Sequence, residues 1–190
     1  MVTDYRAFHM TTIGASHTKT GTVCQDWSAS CDLPDRRLVA VCDGHGGGNY
    51  FRSDRGSRFA AEAFMECTKN PDLLNALSDA ATHKQQVFRI EQLIKSIVAR
   101  WNRLVEQDIQ KAPFGEEELN GVSEKARRRY EAGQRLPSAY GTTLIGIVLA
   151  ENFWLGLQIG DGKCVAVSKD GEFTQPIPWD EQCFLNVTTS

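Results

Sequence analysis

The stretch that most constrains this chain is Leu38-Val39-Ala40-Val41-Cys42, five apolar residues without a polar interruption, followed at once by Asp43-Gly44-His45-Gly46-Gly47-Gly48. An apolar run of that length, bounded by turn residues, reads as a strand buried on both faces. It ends where glycine lets the backbone approach a ligand while a carboxylate points outward. Asp43 offers hard oxygen ligands and the Gly44 carbonyl another, a donor set suited to Mg²⁺ or Mn²⁺. His45 titrates near neutral pH and is a candidate for proton transfer. Taken alone, a glycine-rich turn with a capping Asp and a surface His accounts for the same residues equally well.

The remaining chain falls into three textures around that strand. Residues 8–15, 26–33 and 38–42 read as short strands between Gly, Thr, Pro and Asp clusters. Residues 56–135 read as helical. A helix starting at Gly56 or Ser57 carries Phe59, Ala60, Ala63, Phe64 and Cys67, and Asn70-Pro71 ends it. Ile90, Leu93, Ile94, Ile97, Val98, Trp101, Leu104 and Val105 recur at helical spacing, predicting an amphipathic helix over 87–109. Ala126-Arg127-Arg128-Arg129-Tyr130 neighbours Glu116, Glu117, Glu118 and Glu124 and reads as a solvated face. Strands return at 142–150 and 153–160 around Glu151-Asn152, a hairpin signal, and at 163–168 and 172–177 around Lys169-Asp170-Gly171. Strands, helices, strands predicts α+β with antiparallel sheets rather than a doubly wound parallel sheet.

Two more acidic residues share the texture of Asp43. Asp26 begins a strand after Cys24-Gln25, and Asp161 sits in Gly160-Asp161-Gly162. Asp-Gly is also an ordinary type I′ turn signal. In an unrelated β-rich domain these aspartates would lie far apart; in a metal site they would converge. Other chemistries lack their residues: no serine is flanked for an esterase elbow, and no glycine run ends in the G-K-[ST] of a phosphate loop.

Composition narrows the classes further. At 190 residues one domain, 1–190, is expected. A net charge of −3 argues against a nucleic-acid surface. No apolar run approaches the roughly 20 residues of a membrane helix. The first residues lack a signal-peptide layout, so a cytoplasmic location is expected. None of the six cysteines forms C-x-x-C, and reduced structural thiols are expected.

With these residues assembled, the sequence resembles the metal-dependent serine/threonine protein phosphatases of type 2C, the PPM family. The likeness is carried by Cys24-Gln25-Asp26, by residues 38–47, by Tyr140-Gly141-Thr142-Thr143-Leu144, and by Gln158-Ile159-Gly160-Asp161-Gly162-Lys163-Cys164 followed by Asp170-Gly171. The resemblance implies a β-sandwich of two antiparallel sheets flanked by helices, with two Mn²⁺ or Mg²⁺ ions and a weak third at one end. It implies that Asp43 bridges both metals, that Gly44 gives its carbonyl to one, and that Asp26 holds metal-bound water. Asp161 then belongs to the third metal, and His45 is the general acid. The implied reaction is hydrolysis of phosphoserine or phosphothreonine on a protein by a metal-bridging hydroxide.

Two departures qualify that expectation. Gly21 stands where many members carry a phosphate-binding arginine, with His17 or Lys19 as weaker substitutes. Two further ligand aspartates of the family's C-terminal part have no match before Ser190, and the Trp179-Asp180-Glu181 context fits neither. The chain therefore resembles the first two-thirds of the domain, with weak metal binding expected. A dimer through an open sheet edge is expected as compensation. The alternative is a pseudophosphatase, a non-catalytic binding module on the same fold.

Overall fold

The computed structural model describes residues 4–178, apart from the side chains at 73 and 74. The chain begins with α1 (Ala15–Thr20), β1 (Trp27–Asp32) and β2 (Arg36–Cys42). Five helices follow: α2 (Ser53–Lys69), α3 (Pro71–Ser78), α4 (His83–Lys111), α5 (Glu116–Leu119) and α6 (Glu124–Glu131). Then come β3 (Leu144–Ala150), β4 (Trp154–Ile159) and the two-residue strands β5 (Ala166–Val167) and β6 (Phe173–Thr174). The fold is α+β: β1 to β4 form one antiparallel sheet in chain order, and β5 pairs with β6.

Period-two alternation decides which face of the sheet is covered. Leu38, Ala40 and Cys42 of β2, with Leu144 and Val148 of β3, are buried against α2 and α4. Gly146 is glycine because the Phe64 ring of α2 occupies the space a side chain there would take. Phe64, Leu38 and Leu93 are fully buried, each worth about 1.5–3 kcal/mol of transfer free energy. The opposite face is covered less. Val41 remains 50% exposed, so β2 is buried on one face and not on both. Over that second face lie Ile177, against Gly156, and Gly162, against Ile145.

Residues 8–15 depart from the expected strand. Here the chain runs past β1 without a backbone ladder, held by β1's side chains. The Ala7 amide donates to Asp32 Oδ1 at 3.0 Å, and the His9 ring meets Ser30 Oγ at 2.9 Å. Phe8 and Met10 point outward, 84% and 83% exposed, so no apolar face draws this segment into the sheet. The other elements follow the sequence closely. Thr82 and Gln85 form a capping box that starts α4 four residues before the periodic run. Asn70 ends α2 and caps α3, with Pro71 in the first helical turn. The hairpin between β3 and β4 turns at residues 151–152, closed by the Ala150 amide donating to the Phe153 carbonyl at 2.9 Å. The later hairpin is shorter than expected, but Gly171 takes its turn at φ 84°.

A second core lies beyond Trp101, and it is organised by a charge. Arg52, just before α2, has a side chain only 3% exposed. It donates to both carboxylate oxygens of Glu118 at 2.6 and 2.8 Å. It also donates to the Ala112 carbonyl and the Tyr140 hydroxyl, each at 2.8 Å. Its guanidinium lies 4.7 Å from the Phe114 ring centroid, a cation–π arrangement. Tyr140 in turn donates to Asp108 Oδ2 at 2.6 Å. This knot ties the start of α2, the end of α4 and the turn before β3 into one body.

Among the described residues no helix is long and apolar enough to cross a membrane. The five described cysteines are free thiols; Cys42 is fully buried, Cys31 and Cys164 only partly. Cys183 and Asp180 lie outside the described residues.

Candidate active site

The site is built from the turns at one end of the sheet. β2 ends at Cys42, and the next residues bond to the start of β3. The Asp43 amide donates to Thr143 Oγ1 at 3.0 Å. The Asp43 carbonyl accepts from the Thr143 amide at 2.8 Å and from Thr142 Oγ1 at 3.1 Å. Gly44 bridges to Thr142. The Gly141-Thr142-Thr143 segment thus clamps the Asp43 backbone, and the carboxyl projects from a fixed base. Gly44 has no room for a side chain: a Cβ would meet the Gln25 carbonyl and lie 2.8 Å from the Ser53 carbonyl.

Gln25 brings Asp26 to the same place. Its amide donates to Ser53 Oγ at 2.8 Å and to the His45 carbonyl at 3.3 Å. Its own carbonyl accepts from Ser57 Oγ at 2.6 Å. Asp26 is therefore anchored through its neighbour to the first turn of α2. His45 is held by its amide, which donates to the Gly141 carbonyl at 2.9 Å. The imidazole packs edge-on against Tyr50, ring centroids 5.0 Å apart. A Cβ on Gly141 would sit 2.5 Å from His45 Nδ1, so glycine there is a condition for the ring's position.

Asp161 sits in a bend after β4, entered through Gly160 at φ 94°. Gln158 clasps this bend, its Nε2 donating to the Gly162 carbonyl at 2.7 Å and the Gly160 carbonyl at 3.1 Å. With both donors committed, the Gln158 Oε1 atom is buried with no hydrogen-bond partner among the described residues.

The electrostatics join these residues. Burial raises the Asp43 carboxyl above the ordinary carboxylate value. The Asp26 carboxyl, within hydrogen-bonding reach, raises it further, and the charge of Asp161 adds to this. Asp26 and Asp161 thus both act on Asp43 rather than lying on separate surfaces. Burial lowers the His45 imidazole below its ordinary value, with Asp161 opposing. The Cys42 thiol beside them is pushed up to about 12 by burial, so it stays protonated and is no nucleophile. Among the described residues no three His, Cys, Asp or Glu side chains close into a metal-holding set. Asp26 acts on Asp43 both by hydrogen bonding and by charge, while Asp161 acts on it through its charge. An all-oxygen donor set of facing carboxylates suits a hard cation, whose charge relieves their mutual repulsion.

The sequence singled out Asp26, Asp43, Gly44, His45 and Asp161, and it held Gln25, Gly141, Thr143 and Gln158 in its motifs without assigning them a role. Gln25 and Thr143 act through bonds to residues 20 to 100 positions away, which no local spacing encodes, whereas Gln158 bonds within its own bend. The described hydrogen bonds of α1 are local, and none links His17 or Lys19 to Asp43 or His45. Gly21 closes α1 at φ 69°, a left-handed cap where an arginine would be strained.

A family model described as protein phosphatase 2C matches residues 13–190, and the chain belongs to that family. No curated protein matches it at a significant level.

Proposed function

We propose that this chain is a Mn²⁺- or Mg²⁺-dependent phosphatase that hydrolyses phosphoserine and phosphothreonine on proteins. One observation carries the reading: Asp26, just before β1, and Asp161, after β4, both raise the carboxyl of Asp43 at the end of β2, with His45 in electrostatic range of Asp161. Asp43, the Gly44 carbonyl and Asp26 are the groups that would hold the cations, with Asp161 serving a further one. Bound cations supply positive charge for the phosphoryl oxygens and acidify a neighbouring water.

The chain's own residues do the rest. Thr142 and Thr143 fix the Asp43 backbone, so the carboxyl is positioned before substrate arrives. His45, set against Gly141 and Tyr50, is placed to give a proton to the leaving serine or threonine oxygen. A lowered imidazole value makes it a stronger acid toward that oxygen, while Asp161 helps it keep the proton beforehand. Cys42, protonated and buried, takes no part, and no phosphoenzyme is required.

A second reading, a pseudophosphatase that binds without turnover, is favoured by Gly21, whose capping role leaves no guanidinium at that position to grip a phosphate. The two are separated by p-nitrophenyl phosphate turnover in Mn²⁺. The enzyme reading expects Asp43→Asn to lose at least about a hundredfold in kcat with its circular dichroism unchanged. Equal turnover in wild type and variant would refute the role given to Asp43. A wild type without turnover that still binds phosphopeptide would be the binding module.

A further inference from the structure

Next to His45 a groove of about 690 Å³ opens between helices and sheet, within the roughly 300–1,000 Å³ of ligand pockets. Its walls are apolar: Ile97, Val98 and Trp101 from α4 face Tyr130 and Pro137. Its floor runs through Thr142 and Leu144, so one end of the groove is the clamp that holds Asp43.

Arg129 and Arg135 also line it, and their state differs from that of their neighbours. Arg127 is paired with Glu116 and Glu131, and Arg128 with Glu124. Among the described residues neither Arg129 nor Arg135 has a carboxylate partner; the Arg129 Nε donates only to the Lys125 carbonyl of its own helix, at 3.3 Å. Arg135 is held at φ 52°, the one non-glycine residue with positive φ among those described. An apolar groove carrying two uncompensated guanidiniums complements a ligand that is apolar with acidic side chains.

We propose that this groove binds the substrate chain beside the phosphorylated residue, selecting a segment with apolar side chains and at least one Asp or Glu for Arg129 and Arg135. The proposal rests on the phosphatase reading, because a phosphate seated at Asp43 and His45 leaves the adjoining chain at the mouth of this groove.

The test uses the full chain with Mn²⁺ and two fluorescein-labelled phosphothreonine peptides, one flanked by Leu and Glu, the other by Ala and Lys. Turnover is read as kcat/KM and binding as fluorescence anisotropy, with p-nitrophenyl phosphate as a substrate too small to reach the groove. Wild type is expected to prefer the acidic, apolar peptide roughly fivefold to tenfold, the size of two solvent-exposed charge contacts. The preference should shrink with added salt. The R129Q/R135Q variant should lose the preference and keep its p-nitrophenyl phosphate turnover. Equal use of both peptides by wild type, or a preference that survives in the variant, overturns the proposal. If no substrate turns over, arginine-dependent binding of the acidic peptide keeps the groove and removes the phosphatase reading; no binding removes the groove. Arginine-dependent self-association in sedimentation, without peptide binding, assigns the groove to a second copy of the chain and also overturns the proposal.

Discussion

Two clusters of charge in this molecule are built on opposite plans. Around Arg52 every charge meets its opposite: Glu118 and Asp108 flank the guanidinium, Tyr140 donates to Asp108, and Phe114 covers the flat face. Around Asp43 like charges face each other, with Asp26 and Asp161 both raising its carboxyl. The first cluster is complete within the chain and serves the fold. The second sets like charges together, a repulsion that the proposed cations would relieve and a pattern met at functional sites. The contrast separates structural from functional ionisable groups on physical grounds, and each cluster can be made to imitate the other.

The largest effect is expected at the complete cluster. Arg52→Met leaves Glu118 and Asp108 without their central partner and should cost about 3–5 kcal/mol, read from urea unfolding. A loss under 1 kcal/mol would show that the knot decorates the fold rather than holding it. The cluster around Asp43 should behave in the reverse sense. Its raised Asp43 value means that the ionised carboxyl is disfavoured in the fold, and that stability is lost as pH rises through the folded value. Without divalent cations, Asp43→Asn should therefore be at least as stable as wild type near neutral pH. A clear destabilisation would break the comparison.

Next comes the clamp. Gly141→Ala places a methyl 2.5 Å from where His45 Nδ1 now sits and should lower kcat roughly tenfold to a hundredfold by displacing the ring. Unchanged kcat would detach Gly141 from the site. A smaller effect concerns pH. Arg52 holds Glu118 below its usual 4.5. Burial opposes the same shift in Asp108, yet Tyr140, Arg55 and Arg52 hold it below 3.8. Both contributions are full above those values and are lost as pH falls through the lowered folded ones. Glu118→Gln should cost about 1 kcal/mol near pH 7, and the difference from wild type should vanish in acid. The smallest effect belongs to the surface pairs: Arg127→Ala should leave the urea unfolding midpoint close to that of wild type.

What the sequence revealed follows the range over which its signals act. The α4 periodicity, the Glu151-Asn152 hairpin and the Asn70-Pro71 break are local, and the structure keeps them. The three aspartates were visible as carboxylates at strand ends, although their meeting depends on Gln25 and the Thr142-Thr143 clamp. The Arg52 knot left no trace in spacing, because its partners lie 56 to 88 positions away. Residues 8–15 misled for a related reason: their β-branched and apolar residues resemble a strand, but Phe8 and Met10 find no core. Arg36 and Arg37, both buried, begin β2 two residues before its apolar run.

Whether Asp26 and Asp43 share a cation is tested most directly by thermal unfolding with and without Mn²⁺. The wild type should gain stability as Mn²⁺ rises, by about 2.7 kcal/mol at a hundred times the dissociation constant, while Asp43→Asn should gain almost nothing. Equal gains in the two proteins, or none in either, would contradict a shared cation.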